Sequence, residues 1–184
     1  MTASDAAIPP FSHPKTTERV LRLLDPATLG GQRVLDLGAG AGYFSQQLTT
    51  RLEAAELDPE SILTPCDLHP DEFRFKRLRC VPADFTDQLP FEDGAFDVVV
   101  CMEVIEHLHD QMRLWREIAR VVRPGGRAIL TTPNTLNANS RVQYLVSGTM
   151  PLYDILPIAE PDVVHTTGHV GPVNLYYLYY MARR

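Results

Sequence analysis

Short apolar runs alternate with stretches of helical periodicity along most of the chain. The clearest run, Phe96–Met102, is apolar on both faces, as a central parallel strand should be. Four shorter runs predict further strands, at Arg33–Leu37, Ile62–Cys66, Arg79–Pro82 and Arg127–Thr132. Strands that alternate with helices favour an α/β fold with a doubly wound, mostly parallel sheet.

Apolar side chains recur at helical spacing between these runs. Phe44, Leu48 and Leu52 predict a helix over Tyr43–Ala55. A second apolar face follows the central strand and ends at a Pro-Gly-Gly breaker; its members are Leu108, Met112, Trp115, Ile118, Ala119 and Val122. Three shorter helices are predicted: one from Thr16 or Thr17 to about Leu24, one around Ser140–Leu145, and one that Asn174 caps.

The length of 184 residues suits one globular domain and is too short to expect two. Residues 1–13 contain Pro9, Pro10 and small polar residues, which predicts a flexible arm. Residues 14–184 then form the single domain. The predicted helix after Asn174 carries four tyrosines, Tyr176, Tyr177, Tyr179 and Tyr180, which would be heavily exposed unless other residues cover them. We therefore expect either a missing C-terminal portion or a homodimer through this face.

Composition narrows the possible partners. The net charge of −6 makes nucleic acid a less expected partner, and only one local basic run opposes this, Arg74, Lys76, Arg77 and Arg79. No stretch approaches the roughly 18 apolar residues of a membrane span, and the N-terminus lacks the layout of a secretory signal, so we expect a cytoplasmic protein. The spacing of Cys66, Cys80 and Cys101 fits neither a zinc site nor a disulfide framework.

A glycine-rich loop follows the first predicted strand, in Asp36-Leu37-Gly38-Ala39-Gly40-Ala41-Gly42. Glycine lets a ligand approach the backbone where a Cβ would clash. In an open parallel sheet, ligands bind beyond the carboxyl ends of the strands, where the strand order reverses. The third glycine follows the second by two residues instead of the three of the dinucleotide fingerprint, which disfavours a dehydrogenase.

Acidic residues follow the next two predicted strands. Asp67 ends the second strand, where a carboxylate can accept both hydroxyls of a ribose. Asp84 ends the third strand, beside Phe85, an aromatic that could line an adenine pocket. Glu56 and Asp58 compete with Asp67 as the ribose ligand; we prefer Asp67 because an apolar strand precedes it.

Five segments between residues 34 and 134 together resemble the class I (Rossmann-like) S-adenosylmethionine-dependent methyltransferases: VLDLGAGAGYF, CDLHP, ADF, LPFEDGAFDVVVCMEVIEHL and ARVVRPGGRAILTTPN. The resemblance implies that 34–134 is the cofactor-binding core and 135–173 the substrate cap. Apolar residues of that cap could line a pocket: Met150, Leu152, Tyr153, Ile155 and Leu156. The family fold has seven strands, so this chain is expected to lack the last two.

The same resemblance implies the cofactor contacts residue by residue. Asp36, Gly38, Ala39 and Gly40 would hold the methionine part of S-adenosylmethionine. The adenosine part and the sulfonium would be held by a further set: Asp67 at the ribose, Leu68 against the adenine, Asp84 and the backbone of Phe85 at the adenine edge, and Cys101 and Met102 under the sulfonium.

The segment directly after the central strand carries the candidate chemistry. If a helix begins near Glu103, then Glu103, Glu106 and His107 share one face next to the methyl donor. The imidazole of His107 is suited to remove the proton of a methyl acceptor, which makes His107 and Glu103 the catalytic candidates. The same segment resembles that of the ubiquinone-pathway O-methyltransferases.

A metal site is the alternative reading of this cluster. Carboxylates with an imidazole could hold a divalent ion, as in the resembling motif of the RNA 3′-end 2′-O-methyltransferases, which a later histidine completes. His165 and His169 are the candidates for that histidine, giving Glu103, Glu106, His107 and His169 as the fullest set. We therefore expect a methyltransferase acting on oxygen or nitrogen of a small molecule; the alternatives are a metal-dependent RNA-end enzyme and a non-catalytic cofactor-binding domain.

Overall fold

The computed structural model describes residues 8–10, 12–150 and 169–183 and contains one five-stranded parallel sheet. The strands are β1 (Val34–Leu37), β2 (Leu63–Asp67), β3 (Val81–Pro82), β4 (Phe96–Met102) and β5 (Val122–Thr131), in the order β3-β2-β1-β4-β5. Leu37 of β1 is in register with Cys66 of β2 and with Cys101 of β4. The predicted α/β class, the doubly wound parallel sheet and all five strands are confirmed.

Seven α-helices flank the sheet in the described residues. They are α1 (Pro14–Arg22), α2 (Pro26–Leu29), α3 (Tyr43–Ala54), α4 (Pro59–Ile62), α5 (Gln111–Val121), α6 (Ala138–Ser147) and α7 (Leu175–Met181). Two 3₁₀ turns, Pro70–Glu72 and Ile105–His107, complete the regular structure. None of the helices in the described ranges is both long and apolar enough to cross a bilayer.

The two faces of the sheet each bury a separate core, because successive side chains of a strand point to opposite faces. Val34, Val98 and Val100 pack with residues of α1 and α3, such as Leu48 and Leu52. The alternate positions point to the other face, where they pack with residues of α5 and α7: Leu35, Leu37, Val99 and Cys101 with Leu114, Ile118, Val121 and Met181. Both faces are therefore covered by helices, as a parallel sheet requires.

The order of the strands places a ligand site at one edge of the sheet. The chain runs outward from β1 to β2 and β3, and then crosses back to pair β4 with the other side of β1. The carboxyl ends of β1 and β4 are therefore the point at which the strand order reverses. This is the edge that carries the glycine loop and the segment after Met102.

Two local predictions are wrong: the cap of the first helix and the start of the helix after β4. Helix α1 begins at Pro14 with His13 as its cap, instead of Thr16 or Thr17, and ends at Arg22, two residues before the predicted end at about Leu24. Ile8, in the segment predicted as a flexible arm, is buried in the core; the arm itself stays a prediction. The helix after β4 begins at Gln111, where Asp110 caps it, and not near Glu103.

The predictions for the last described helix are confirmed in part. Asn174 caps α7 by accepting a hydrogen bond from the Tyr177 backbone N–H at 2.9 Å. Tyr176 is 81% exposed and Tyr179 is 61% exposed. The homodimer through this face stays a prediction, which sedimentation at several protein concentrations would test.

Candidate functional site

A cleft of about 320 Å³ opens at the carboxyl edge of β1, β2 and β4. Eleven of the twelve residues predicted to bind the cofactor or act in catalysis line it: Asp36, Gly38, Ala39, Gly40, Asp67, Leu68, Asp84, Phe85, Met102, Glu103 and His107. The ends of β1, β2, β3 and β4 bring together these residues, which span 72 positions of the sequence, because neighbouring parallel strands end at the same edge of the sheet. The cleft is therefore where the predicted ligand site would be.

The glycine loop turns sharply from β1 into α3. Gly38, Gly40 and Gly42 all adopt positive φ, at 83°, 52° and 94°. The loop is pinned to β2 because the N–H groups of Gly38 and Ala39 both donate to the carbonyl of Cys66, at 2.9 and 3.0 Å. A Cβ at Gly38 would lie 2.3 Å from Cγ2 of Val104, so this position requires glycine for space as well as for φ.

Asp36 presents a buried carboxylate at the base of the cleft. Its side chain accepts a hydrogen bond of 2.6 Å from the hydroxyl of Ser45 in α3. Burial raises the pKa of Asp36 to about 7, and the charge of Asp67 adds to this effect, whereas the bond from Ser45 opposes it. A cationic group placed in the cleft would therefore stabilise the ionised form of Asp36.

Asp67 joins the end of β2 to the glycine loop. One carboxylate oxygen accepts a hydrogen bond from the Gly40 N–H at 2.8 Å, and the other accepts one from the His69 N–H at 2.9 Å. The competing candidate Asp58 caps α4 instead, and neither it nor Glu56 lines the cleft. The geometry thus favours Asp67 over Glu56 and Asp58 as the acid at this position.

The third strand contributes the far wall of the cleft. Asp84 accepts hydrogen bonds from the backbone N–H and the hydroxyl of Thr86, at 2.8 and 2.7 Å, which fixes the turn after β3. Phe85 is buried beside it, while Leu68 after β2 is 38% exposed. These residues form a partly apolar wall with a carboxylate at its edge.

Cys101 is the one predicted cofactor residue whose side chain does not reach the cleft. It is 1% exposed and packs in the core on the face that α5 covers. Burial raises the pKa of its thiol well above the usual range. Strand alternation turns the Cys101 side chain into this core and the Met102 side chain toward the cleft. The passage of Cys101 and Met102 under the sulfonium stays a prediction.

Glu103 leaves β4 in a strained conformation, not in a helix. Its φ of 55° lies in the left-handed region, which a non-glycine residue adopts at a cost. Two hydrogen bonds to Thr131 of β5 hold it: the Thr131 hydroxyl donates to Oε1 at 2.7 Å, and the Glu103 N–H donates to the Thr131 carbonyl at 3.0 Å. Strain of this kind is found at functional sites, where the surrounding structure maintains it.

Glu106 and His107 lie in the 3₁₀ turn Ile105–His107 and not in a helix that begins near Glu103, so the predicted common helical face with Glu103 does not exist. Glu106 is fully buried and does not line the cleft, whereas His107 does. Burial raises the pKa of Glu106 to about 7, and the charge of Glu103 contributes in the same direction. The His107 and His169 rings pack edge to face, with centroids 4.8 Å apart.

Several residues of the cleft went unpredicted. Tyr43 and Phe44 begin α3 directly after the glycine loop. Their position next to that loop could have identified them from the sequence. Ser12 comes from the segment predicted as a flexible arm and is bonded to the Thr17 hydroxyl at 2.9 Å. Of the predicted cap residues, Met150 is half-buried and does not line the cleft; His165, Leu152, Tyr153, Ile155 and Leu156 lie outside the described residues.

Comparison with known proteins identifies the family. Residues 35–130 match the family model of the methyltransferase domain, which is more than half of the chain. This chain belongs to the methyltransferase domain family. Its members of class I use S-adenosylmethionine, so the predicted family and its cofactor are confirmed.

Two relatives and one solved structure are similar to this methyltransferase domain. An uncharacterized methyltransferase of Mycobacterium sp. (strain KMS) is 40% identical over 56% of the chain and 40% of its own length. A ubiquinone biosynthesis O-methyltransferase of Xanthomonas oryzae pv. oryzae (strain PXO99A) is 36% identical over 58% of this chain and 45% of its own length. The crystal structure of the YcgJ protein from Bacillus subtilis, 20% identical, superposes with a TM-score of 0.63 over 92% of this chain and 66% of its own.

The chain thus spans less than half the length of these curated relatives. At 20% identity the likeness to the YcgJ protein concerns the fold alone. What this methyltransferase domain acts on therefore has to be argued from its own cleft.

Proposed function

We propose that this chain transfers the methyl group of S-adenosylmethionine to an oxygen atom of a small molecule. The observation that carries the proposal is the composition of the single cleft described above. The cofactor set is the glycine loop with Asp36 and Asp67, and the acceptor set is Glu103 and His107; both sets line this cleft. A cofactor held by the first set would lie beside the second.

The residues of the cofactor set fit S-adenosylmethionine. The buried carboxylate of Asp36 suits the ammonium of the methionine part, since a cation is the partner that a buried carboxylate needs. Asp67 suits the ribose hydroxyls, and Asp84 suits the adenine amino group, with Leu68 and Phe85 as apolar walls.

The residues of the acceptor set fit an acceptor that has to lose a proton. When bound, the cofactor supplies a sulfonium methyl carbon that an acceptor oxygen attacks in line, so that the carbon–sulfur bond breaks and S-adenosylhomocysteine leaves. Glu103, held by Thr131, accepts a hydrogen bond from the acceptor and so orients it. In the metal-free protein, the imidazole of His107 takes the acceptor proton as general base.

Oxygen is favoured over nitrogen by the similarity to a ubiquinone biosynthesis O-methyltransferase. An RNA acceptor has less support. Arg77, from the one basic run, is engaged with Glu53 at 3.5 Å and with Glu60 at 2.9 Å, which neutralises part of that run. The proposed partner is therefore a small hydroxyl compound.

Calorimetry tests the cofactor half of this proposal. We expect S-adenosylhomocysteine to bind with one-to-one stoichiometry and NADH not to bind. Absence of S-adenosylhomocysteine binding, or equal binding of NADH, would overturn the proposal and leave a domain without this cofactor.

Transfer from methyl-tritiated S-adenosylmethionine tests the acceptor half. Small hydroxyl compounds form the main arm, and amines and short RNAs form two further arms. We expect label in hydroxyl compounds, and a fall in kcat of about 100-fold or more in His107→Ala, with unchanged affinity for S-adenosylhomocysteine. Label found only in amines would contradict an oxygen acceptor. Label found only in RNA would contradict a small-molecule acceptor.

A further inference from the structure

The side chain of His169 lies next to those of Glu106 and His107, far from them in sequence. The ligand atoms of Glu106, His107 and His169 all lie within 4.8 Å of one another. Glu106 and His107 come from the turn after β4, and His169 comes from a segment 62 residues later. Glu106 and His169 do not line the cofactor cleft, so neither is proposed to contact the cofactor.

The backbone fixes this convergence. The N–H groups of Val170 and Gly171 both donate to the carbonyl of Glu106, at 3.0 and 3.1 Å. The Gln111 side chain donates to the carbonyl of Gly171 at 3.0 Å, which ties the same segment to the start of α5. His169 is therefore held against the turn by three hydrogen bonds at its neighbours, and its position is built into the fold.

The carboxylate of Glu106 is buried with few polar partners. The side chain is fully buried, and its oxygens make no regular hydrogen bond within the described residues, although the Thr132 side chain and the Glu106 N–H lie close enough to act as donors. A buried carboxylate with weak partners is costly, and native proteins supply it with hydrogen bonds, an opposite charge or a metal ion. Two imidazoles also lie next to this carboxylate.

We propose that Glu106, His107 and His169 bind one divalent transition-metal ion at the edge of the cleft. Two imidazole nitrogens and one carboxylate oxygen suit zinc, manganese, iron or cobalt better than magnesium or calcium, which prefer oxygen ligands. Ligand atoms about 2.1 Å from one ion lie roughly 3 to 4 Å apart, so the three side chains would close by about 1 Å on binding.

Glu103 does not belong to this ligand set, in contrast to the four-residue set that the sequence predicts. It is engaged with Thr131, and the three-residue cluster does not include it. Glu103 instead lines the cleft together with His107. Three protein ligands leave coordination positions open, and because His107 lines the cleft, an open position can face the acceptor.

This inference rests on the proposed function and deepens it by changing how His107 acts. In the metal-loaded protein, the imidazole is a ligand and not a base. The ion lowers the pKa of an acceptor hydroxyl at its open position, so the proton leaves to water. The acceptor oxygen then forms the new bond to the methyl carbon as the bond to sulfur breaks, and the electron pair stays on sulfur.

Metal binding is measured on the full chain after dialysis against a chelator, without any acceptor. We expect one equivalent of Co²⁺ to bind with visible absorption bands of a site with nitrogen ligands, Zn²⁺ to displace it, and Mg²⁺ at the same concentration to give no heat of binding. His169→Ala and Glu106→Gln should each weaken Co²⁺ binding at least 100-fold. His109→Ala removes an exposed imidazole two residues from the cluster and should leave Co²⁺ affinity unchanged.

The outcomes separate this inference from the proposed function. Affinity for S-adenosylhomocysteine reports the fold of each variant, because Glu106 and His169 do not line the cleft. Wild-type protein that binds no Co²⁺, or a His169→Ala variant that binds it as tightly as wild type, overturns the metal site. Methyl transfer by the metal-free protein at the same rate as by the metal-loaded protein overturns the role of the ion in catalysis. A metal-loaded protein that binds Co²⁺ as described but does not bind S-adenosylhomocysteine overturns the proposed function and leaves the metal site standing.

Discussion

The carboxylate of Asp67 accepts a hydrogen bond of 2.8 Å from the backbone N–H of Gly40, which lies 27 residues earlier in the chain. The bond links the end of β2 to the middle of the glycine loop on β1. The second carboxylate oxygen of Asp67 accepts a hydrogen bond from the N–H of His69. The residue proposed to hold the ribose therefore also fixes the shape of the loop proposed to hold the methionine part.

Replacing Asp67 should weaken cofactor binding through both of these effects. In Asp67→Ala, the N–H groups of Gly40 and His69 lose a charged acceptor, and the ribose loses its proposed ligand. Hydrogen bonds to charged groups contribute about 1.5 to 3 kcal/mol, so we expect affinity for S-adenosylhomocysteine to fall by about 10- to 100-fold in calorimetry. Asp58→Ala removes an aspartate that caps α4 outside the cleft and is the matched control; an equal loss in that variant would contradict the assignment.

Glycine at position 38 should be required for space as well as for conformation. Gly31 adopts a similar φ, 78°, but a Cβ there meets nothing within 4 Å. Gly31→Ala should therefore cost only the conformational penalty, about 1 kcal/mol in the free energy of unfolding. Gly38→Ala should cost about 2 kcal/mol or more in urea denaturation and also abolish binding of S-adenosylhomocysteine.

Val104 is the side chain that a Cβ at Gly38 would strike, at Cγ2. In a Val104→Ala background, which lacks that atom, Gly38→Ala should cost no more than Gly31→Ala does. If the cost of Gly38→Ala stays the same in both backgrounds, the contact with Val104 is not its cause.

The strands and their polar ends could be predicted because short-range patterns determine them. Phe96–Met102 is buried on both faces, and its run of apolar residues shows this directly. Asp36, Asp67 and Asp84 stand where apolar runs end, and parallel strands bring such positions to one edge. No knowledge of packing was needed to expect them in one cleft.

The segment after Met102 could not be predicted in the same way. A helical reading of Glu103, Glu106 and His107 assumes the ordinary right-handed backbone, but Glu103 has a left-handed φ that its bonds to Thr131 maintain. That contact spans 28 residues of sequence, and no local propensity encodes it. Likewise, the approach of His169 to Glu106 depends on backbone bonds between distant segments.

Cofactor affinity should depend on pH through Asp36. With a pKa of about 7, this carboxyl is largely neutral at pH 6 and largely ionised at pH 8. Only the ionised form offers a charge to the methionine ammonium, and apparent affinity scales with the fraction of protein in the competent state. We expect S-adenosylhomocysteine to bind about tenfold more weakly at pH 6 than at pH 8, measured by calorimetry.

The ligand-free protein should show the opposite trend in stability. Because the folded pKa of Asp36 lies above its ordinary value of 3.8, the folded state holds the proton more tightly, and stability falls as pH rises from about 4 to 7. Asp36→Asn should reduce this slope in urea denaturation and reduce the pH dependence of binding. A variant that keeps both dependences would show that other groups cause them.

Relief of the backbone strain at Glu103 should separate stability from activity. Glycine adopts a left-handed φ without the cost that a Cβ brings, whereas alanine keeps that cost. Glu103→Gly should therefore have a free energy of unfolding about 1 kcal/mol above that of Glu103→Ala, measured by urea denaturation. Both variants should lose methyl transfer because the proposed acceptor ligand is absent.

Glu56 has nearly the same φ, 58°, outside the cleft. The pair Glu56→Gly and Glu56→Ala should thus differ in stability by the same amount and transfer methyl groups at the wild-type rate. Equal stability of Glu103→Gly and Glu103→Ala, beside a clear difference at Glu56, would mean that no strain is stored at the site.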